Sequence, residues 1–272
     1  MKTGDLIMKK LALVLTAVAG FGGQAMAADM AARPMKAPPA PIAVANWTGC
    51  YISGGGGYGL WHQENTGYDD TVVPRTQITP TATAGGKGWF GTVQGGCDYQ
   101  FSSGLPWQVV VGAFADYDFA DIKGQINLPS SILYGQEKLS QQWAVGGRVG
   151  ILIPPNLLSY VSGGYTEAKF DQVNFGLAPG AVIGAPINYW NSHTYGGWFF
   201  GSGYEYNLSF LPGLAWKTEY RASYLDRERN NNYFSGTNVL TGISYDSEKW
   251  VHAVRSQLVY RFNWGGPVVA KY

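Results

Sequence analysis

The clearest pattern in the chain is an alternation of side-chain character along residues 216–224. The even positions carry Trp, Thr, Tyr, Ala and Tyr, whereas the odd positions carry Lys, Glu, Arg and Ser. Successive residues of a β-strand point to opposite faces of a sheet, so this period predicts a strand with one apolar and one ionic face. Such a strand suits a barrel that meets lipid outside and encloses a polar interior. A soluble barrel would place its apolar residues inside.

Seven further segments have the same period, and no window shows sustained helical periodicity. The predicted strands span residues 48–64, 87–101, 107–124, 137–153, 157–172, 194–208, 214–228 and 248–262. Each is long enough for the ~9–11 residues with which a tilted strand crosses a bilayer. Short turns alternate with long polar connections, the latter near residues 65–86, 125–136, 173–193 and 229–247. These features predict an all-β, eight-stranded antiparallel up-and-down transmembrane β-barrel with its long loops at one end.

The same parity predicts which charged side chains point into the barrel, although the first and fifth strands are ambiguous. An eight-stranded barrel is just wide enough for side chains to fill its interior. Because a lone buried charge is costly, we expect a core of ion pairs and hydrogen bonds rather than an open pore. The predicted interior polar network comprises Asp98, Asp116, Asp118, Arg148, Glu205, Lys217, Glu219, Arg221 and Arg255, with Arg261 as a further candidate.

Outward aromatic residues gather near both ends of the predicted strands, and smaller side chains fill much of the middle. A preference of Trp and Tyr for strands explains their abundance but not two separate belts. Two aromatic girdles around an apolar band are typical of a barrel that spans a membrane. The predicted girdle residues are Trp89, Trp143, Trp198 and Trp250 at the loop end and Trp107, Trp216, Tyr260 and Phe262 at the turn end.

The composition agrees with a lipid-facing β-protein. Charged residues make up 14% of the 272 positions, against about 25% in ordinary soluble domains. Aromatic residues reach 15%, and there are 38 glycines. Mean hydropathy is slightly negative, which excludes a helical membrane protein. A formal net charge of +1 gives no electrostatic reason to expect nucleic acid as a partner.

The N-terminus has the features of a secretory signal. Lys9 and Lys10 precede a short apolar run over residues 11–21, and Ala25-Met26-Ala27 then supplies the small-x-small motif for cleavage after Ala27. The run is about half the ~20 residues that a spanning helix needs. We therefore divide the chain into a signal peptide (1–27), a Pro/Ala-rich periplasmic tail (28–46), the barrel (47–262) and a C-terminal extension (263–272). The expected location is the outer membrane of a Gram-negative bacterium.

Two cysteines, Cys50 and Cys97, fall near the turn ends of the first two predicted strands. If that hairpin is centred near residue 74, the two cysteines face each other. Export permits a disulfide, but the geometric tolerance is narrow, so a Cys50–Cys97 bond and two free thiols both remain open. Lipidation of Cys50 is excluded because it lies far beyond the apolar run of the signal.

The sequence offers no catalytic, cofactor or metal site. His62, His193 and His252 show no metal-ligand spacing with one another or with cysteine. The His-x-Ser triplet of barrel lipid deacylases is absent at all three. The glycine run at residues 54–59 lacks the following helix that a phosphate-binding loop requires. We therefore expect no enzyme activity and no cofactor.

From Asn46 onward the chain resembles the small outer-membrane β-barrel family of opacity-protein type, related to the OmpA-like porins. Compared with that family, this chain has Cys50 in place of a usual Phe and continues for ten residues beyond its final Phe262. The resemblance implies outer-membrane lipid, lipopolysaccharide and the barrel-assembly machinery as partners. It is carried by the order and spacing of Trp47-Thr48-Gly49-Cys50-Tyr51-Ile52, Gly57-Tyr58-Gly59, Val145-Gly146-Gly147-Arg148-Val149-Gly150, Gly163-Gly164, Gly201-Ser202-Gly203-Tyr204-Glu205-Tyr206, Glu219-Tyr220-Arg221 and Val259-Tyr260-Arg261-Phe262.

Three functions are compatible with this fold. The leading hypothesis is a structural, surface-exposed envelope protein whose extracellular loops bind a host or environmental ligand. A porin-like passive channel for small solutes is the alternative, and a lipid-acting membrane enzyme is the third. The loop residues singled out by expected exposure are Tyr68, Asp69, Asp70, Asn230, Asn231, Asn232 and Tyr233.

Overall fold

The computed structural model describes residues 46–104, 107–154, 156–177, 186–208 and 210–262. The predicted signal peptide, nearly all of the predicted tail and the C-terminal extension lie outside the described residues. No helix within the described ranges is long and apolar enough to cross a membrane. The described chain forms eleven strands: β1 Gly49–Asp69, β2 Thr76–Gln77, β3 Ala82–Ser102, β4 Gln108–Asn127, β5 Tyr134–Ile153, β6 Leu157–Phe170, β7 Val173–Gly176, β8 Asn188–Trp190, β9 His193–Asn207, β10 Leu214–Phe234 and β11 Leu240–Phe262.

Eight long strands form one closed antiparallel sheet. Each pairs with the next in the order β1, β3, β4, β5, β6, β9, β10 and β11. The first and last strands also pair, from Cys50 opposite Phe262 to Asp69 opposite Ile243. This pairing closes the sheet and confirms the predicted eight-stranded up-and-down barrel. Closure leaves no unpaired edge among the long strands, which is what a strand surrounded by lipid requires.

Seven of the eight long strands extend further at the loop end than the sequence pattern predicts, whereas β6 ends two residues earlier, at Phe170. The predicted first loop, 65–86, is reduced because β1 continues to Asp69 and β3 begins at Ala82. The predicted last loop, 229–247, shrinks to residues 235–239. In these extensions the outer face meets water, and inward positions such as Asn65, Asn230 and Asn232 are polar as well, so an alternation of apolar outer and polar inner residues no longer marks the strands. Their outer ends carry the short strands β2, β7 and β8.

The glycine run of β1 lies in the barrel wall, where close strand contact leaves no room for side chains. A Cβ atom on Gly55 would lie 2.0 Å from the Ser256 carbonyl oxygen on β11. A Cβ atom on Gly57 would lie 2.4 Å from the Phe90 ring. Strand glycines at such positions permit close approach and bending of the sheet. The run is therefore part of the curved wall.

The interior has two layers. In the middle and at the turn end, charged and amide side chains share the interior with two small buried apolar clusters, which include Phe114 and Phe199 in one and Trp47, Val110 and Leu158 in the other. The loop end holds a larger buried apolar cluster. The expectation of a polar core throughout was therefore wrong at the loop end, where the barrel extension packs as a soluble β-protein does. This cluster includes Trp61, Phe90, Ile122, Ile126, Leu139, Phe170, Phe175, Trp190, Tyr195, Leu225, Tyr245 and Val251.

Candidate functional site

The structure places all nine residues of the predicted interior network inside the barrel, each nearly inaccessible to solvent. They come from six strands, β3, β4, β5, β9, β10 and β11, and project inward because each strand alternates its side chains between two faces. Arg261, the further candidate, is buried with them. The network divides into two groups along the barrel axis.

Two arginines and two carboxylates form a ring near the turn end. Arg148 donates to both oxygens of Asp98, with Nε at 2.9 Å and Nη2 at 2.5 Å, and to Glu205 at 3.1 Å. Arg261 completes the ring with bonds of 2.6 Å to Asp98 and 3.0 Å to Glu205. Each carboxylate therefore binds both guanidinium groups, which is the compensation that burial of four charges requires.

A second group of six charges fills the middle of the barrel. Arg221 binds Asp116 through two bonds of 2.9 and 2.7 Å and also binds Glu219 at 2.9 Å. Arg255 reaches Asp118 at 2.9 Å and has Asp116 3.4 Å away. The remaining cation, Lys217, lies 3.6 Å from Glu219 and donates to Gln94, while the Tyr160 hydroxyl donates to Glu219 at 2.8 Å.

A third buried group, the pair of Lys249 and Glu137, lies within the apolar layer and was missed by the sequence prediction. Lys249 Nζ binds Glu137 at 2.8 Å and lies 4.6 Å from the ring centre of Phe170 and 4.8 Å from that of Tyr195. Lys249 shares the inward parity of Arg255, so the pattern of β11 could have revealed it. Glu137 could not be found in this way, because an irregularity between Leu139 and Gln141 reverses the parity of β5.

The three groups together hold equal numbers of buried cations and anions. Arg148, Arg261, Arg221, Arg255, Lys217 and Lys249 balance Asp98, Glu205, Asp116, Asp118, Glu219 and Glu137. Since each ion pays a desolvation cost of several kcal/mol, every one of them must have an opposite charge in contact. The described interior is therefore occupied by paired side chains from the turn end to the loop end.

The outer face carries the predicted aromatic residues. Trp89 is 71% exposed, and Trp143, Trp198, Trp107, Trp216, Tyr260 and Phe262 also have large exposed fractions. Trp250 is partly covered by Trp198 and Tyr224, whose ring centres lie 5.7 and 5.2 Å away. Between the two sets the outer face is made of residues such as Val145, Val149, Val161, Val254 and Leu258. This surface would be unfavourable in water and suits a hydrocarbon layer.

The two cysteines lie on this outer face, directly opposite each other in the β1–β3 pairing. The structure contains a disulfide between Cys50 and Cys97, with Cα atoms 3.9 Å apart. The bond joins the first two long strands near the turn end, at the point where β1 also pairs with the last residue of β11. It thus links neighbouring strands beside the seam that closes the barrel.

The loop-end connections and the short strands β2, β7 and β8, which we name the loop crown, are held by specific contacts. Arg75 binds both carboxylate oxygens of Asp246 at 2.9 and 2.7 Å and stacks over Tyr68 at 4.3 Å. The hydrogen bonds to Asp246 raise the pKa of Arg75, so its guanidinium keeps its charge. Strands β7 and β8 pair with each other and with β5 and β10 respectively.

The structure corrects part of the predicted loop surface. Asn230 and Asn232 were expected in an exposed loop, but both are buried within β10. The Asn230 amide donates to the Tyr195 hydroxyl at 2.7 Å. A register shift between Leu225 and Glu228 turns these asparagines inward. Tyr68 and Asp69 are only half-buried at the end of β1, whereas Asp70 is exposed.

The histidines do not assemble a catalytic or metal site in the described part of the chain. His62 and His252 stack on the outer face with ring centres 5.7 Å apart, and the His252 Nδ1 atom lies 2.8 Å from the Tyr220 hydroxyl. His193 lies on β9, 3.8 Å from Glu228. Within the described ranges, no group of three or more His, Cys, Asp or Glu residues has a geometry that could hold a metal ion.

Comparison with known proteins gives one family relationship. No family model matches the chain. The 31 kDa outer-membrane immunogenic protein of Brucella melitensis biotype 1 is 30% identical over 258 residues, which cover 93% of this chain and 100% of the relative. The protein of the same description from Brucella suis biovar 1 gives the same identity and coverage.

The similarity to solved structures of outer-membrane proteins is weak. OprG from Pseudomonas aeruginosa is 12% identical with a TM-score of 0.44, and the match covers 80% of this chain and 99% of that one. Neisserial surface protein A is 11% identical with a TM-score of 0.35, covering 79% and 98%. The Brucella relatives match at higher identity and over their whole length. The chain therefore belongs to the family of the 31 kDa outer-membrane immunogenic protein, and it is an outer-membrane β-barrel protein.

Proposed function

We propose that the protein is a non-enzymatic surface protein whose loop crown binds a macromolecular partner outside the cell. The barrel anchors the crown in the membrane, and its paired interior charges make that anchor rigid. A passive channel, the alternative considered from the sequence, would need a continuous water-filled path. The twelve buried ionic side chains and the apolar layer occupy the space that such a path would take.

The observation that carries this proposal is an exposed apolar residue in each of the four loop-end connections. Val73, Ile132, Leu177 and Val239 have 98%, 72%, 62% and 58% of their surfaces exposed. Single exposed apolar residues are common on protein surfaces. Here each of the four connections of the loop crown carries one exposed apolar residue. This arrangement suits contact with another macromolecule, because partner binding would remove this apolar surface from water.

Two other partners are proposed for the membrane part of the chain. The barrel-assembly machinery would engage the last strand, whose outward Tyr260 and Phe262 pack together with ring centres 5.1 Å apart. Outer-membrane lipid and lipopolysaccharide would surround the exposed apolar and aromatic face. The immunogenic character that the Brucella relatives carry in their description supports a crown accessible from outside the cell.

The crown proposal is tested by replacing all four tip residues with serine in cells that display the protein. We expect cells with the intact protein to be retained on surfaces coated with fibronectin or laminin, above cells that lack it. We expect the V73S/I132S/L177S/V239S variant to lose at least about tenfold of this retention, since each buried apolar side chain is worth roughly 1.5–3 kcal/mol. Retention is counted after washing, and surface amount is measured by antibody against an epitope tag.

A matched control replaces four exposed polar residues of the same connections, Thr71, Ser131, Gln172 and Thr237, with alanine. The control should retain wild-type adhesion. Equal retention of the tip variant and the wild type contradicts the proposal, as does retention no higher than that of cells lacking the protein.

A further inference from the structure

Three lysines stand in register on the outer face of adjacent strands. Lys87 on β3 lies opposite Lys123 on β4, and Lys123 lies opposite Lys138 on β5. Their neighbours Ile122, Glu137 and Leu139 are buried inside the barrel, so the lysines themselves point outward. Like charges directly opposite each other destabilise a sheet. This row of lysines, which we name the lysine row, therefore needs an anion beside it.

The protein supplies only part of that negative charge. Asp121 Oδ1 lies 2.8 Å from Lys123 Nζ and 3.1 Å from Lys138 Nζ, so two ammonium groups share one carboxylate oxygen. Among the described residues, Lys87 forms no ion pair, and neither does Lys169, which lies outward on the next strand, β6. The nearby Glu167 is engaged with Trp143 and Tyr165. The lysine row therefore carries a net positive charge.

The other external arginines of the described chain are already paired. Arg75 binds Asp246, Arg227 binds Glu248 at 3.0 Å, and Arg229 lies 3.9 Å from Asp70. They belong to the segments around β2 and β10, away from β3 to β5. The outward-pointing lysines outnumber the carboxylates paired with them, and they lie together on one side of the barrel.

The height of the lysine row relative to the aromatic residues defines its surroundings. Lys87 lies two residues beyond Trp89 toward the loop end, and Lys123 lies four residues beyond Phe119. Lys138 is five residues from Trp143 in the same direction. Exposed aromatic rings mark the boundary between hydrocarbon and headgroups, and the loops of an outer-membrane barrel face outside. The row therefore lies at the headgroup level of the outer leaflet.

We propose that the lysine row binds the phosphate groups of a phosphorylated outer-leaflet lipid. Lysine is a common phosphate-binding residue and acts as a point charge with three donors. A phosphate beside Lys87 and Lys123 would supply the missing negative charge, and the acyl chains of the same lipid would cover the exposed aromatic residues below. This site is separate from the loop crown and does not depend on the crown having a partner.

The test titrates the folded full-length protein in detergent micelles with diphosphoryl lipid A and follows bound lipid by native mass spectrometry. The K87Q/K123Q/K138Q variant should bind about a hundredfold more weakly, at roughly fivefold for each lysine near an anionic lipid surface. Lipid A stripped of its phosphates should bind the wild type as weakly as intact lipid A binds this variant. Inorganic pyrophosphate should compete only at far higher concentration, which distinguishes a lipid headgroup from a free phosphate.

A control with the same change in charge is R75Q/R227Q/R229Q, which should keep wild-type affinity within about threefold. D121N retains all three lysines and should bind severalfold more tightly, because the competing carboxylate is gone. Heat-modifiable electrophoretic mobility establishes that each variant is folded. Equal affinity of the lysine variant and the wild type overturns the proposal. So does an equal loss in the arginine control, unchanged binding of dephosphorylated lipid A, or unchanged affinity in D121N.

Discussion

Replacing Arg148 with methionine is expected to lower the free energy of unfolding by about 3–5 kcal/mol, the usual cost of breaking a buried ion pair by removing one partner. Arg148 contacts both Asp98 and Glu205, and its loss leaves two carboxylates with Arg261 alone. One guanidinium cannot compensate two buried carboxylates. Urea-induced unfolding in lipid vesicles, followed by tryptophan fluorescence, measures the change.

Two comparisons separate this effect from a general loss of packing. R148M/D98N removes one charge of each sign, and we expect it to be more stable than R148M because the balance of the ring is restored. K123M, which removes an exposed cation bound to Asp121, should cost less than about 1 kcal/mol, as exposed ion pairs do. An R148M variant as stable as K123M would contradict the structural role assigned to the interior ring.

Replacing Val254 with arginine should also be strongly destabilising, by the roughly 2–4 kcal/mol that an arginine costs on the lipid-facing side of a barrel near the bilayer midplane. Val254 points outward on β11 between Trp250 near the loop end and Tyr260 near the turn end. Its sequence neighbour Arg255 points inward and is paired with Asp118. The same charge is therefore tolerated on one face of the strand and should be costly on the other.

The matched control is Thr83→Arg, at an outward position on β3 beyond Trp89 toward the loop end. A charge at or beyond the membrane boundary costs about 0–1 kcal/mol. Both variants are compared with the wild type in the same vesicles, so the difference between them reports depth in the bilayer. Equal effects at Val254 and Thr83 would contradict the placement of the apolar band in the hydrocarbon layer.

The sequence predicted the membrane-spanning part of the barrel accurately. Alternate residues there face either lipid or the ionic interior, and these two environments select opposite kinds of side chain. Residues 216–224 show this most plainly, since lipid selects the even positions and paired charges occupy the odd ones. The prediction was poorer outside the membrane. There β10 continues through Asn230 and Asn232 to Phe234. Because its outer face meets water rather than lipid, outward residues no longer need to be apolar, and the alternation of apolar and polar positions is lost.

Register shifts within strands explain most of the buried residues that the sequence prediction did not place in the interior. The register shift in β5 turns Glu137 inward, and the shift in β10 does the same for Asn230. Neither shift can be recognised in the sequence from the alternation of apolar and polar residues. The inward direction of Trp61 in β1 was also undecidable, because the glycines before it carry no side chain to show parity. The ion pairs themselves depend on distances across the barrel, as between Lys249 and Glu137, that no single strand encodes.

The filled interior is tested most directly by single-channel recording of the folded monomer in a planar bilayer. Since paired ions and an apolar layer occupy the barrel from end to end, we expect no stable conductance above the bare membrane across the physiological voltage range. A large, stable, monomer-derived conductance would show a continuous water-filled path and would contradict both the interior packing and the anchoring role assigned to the barrel.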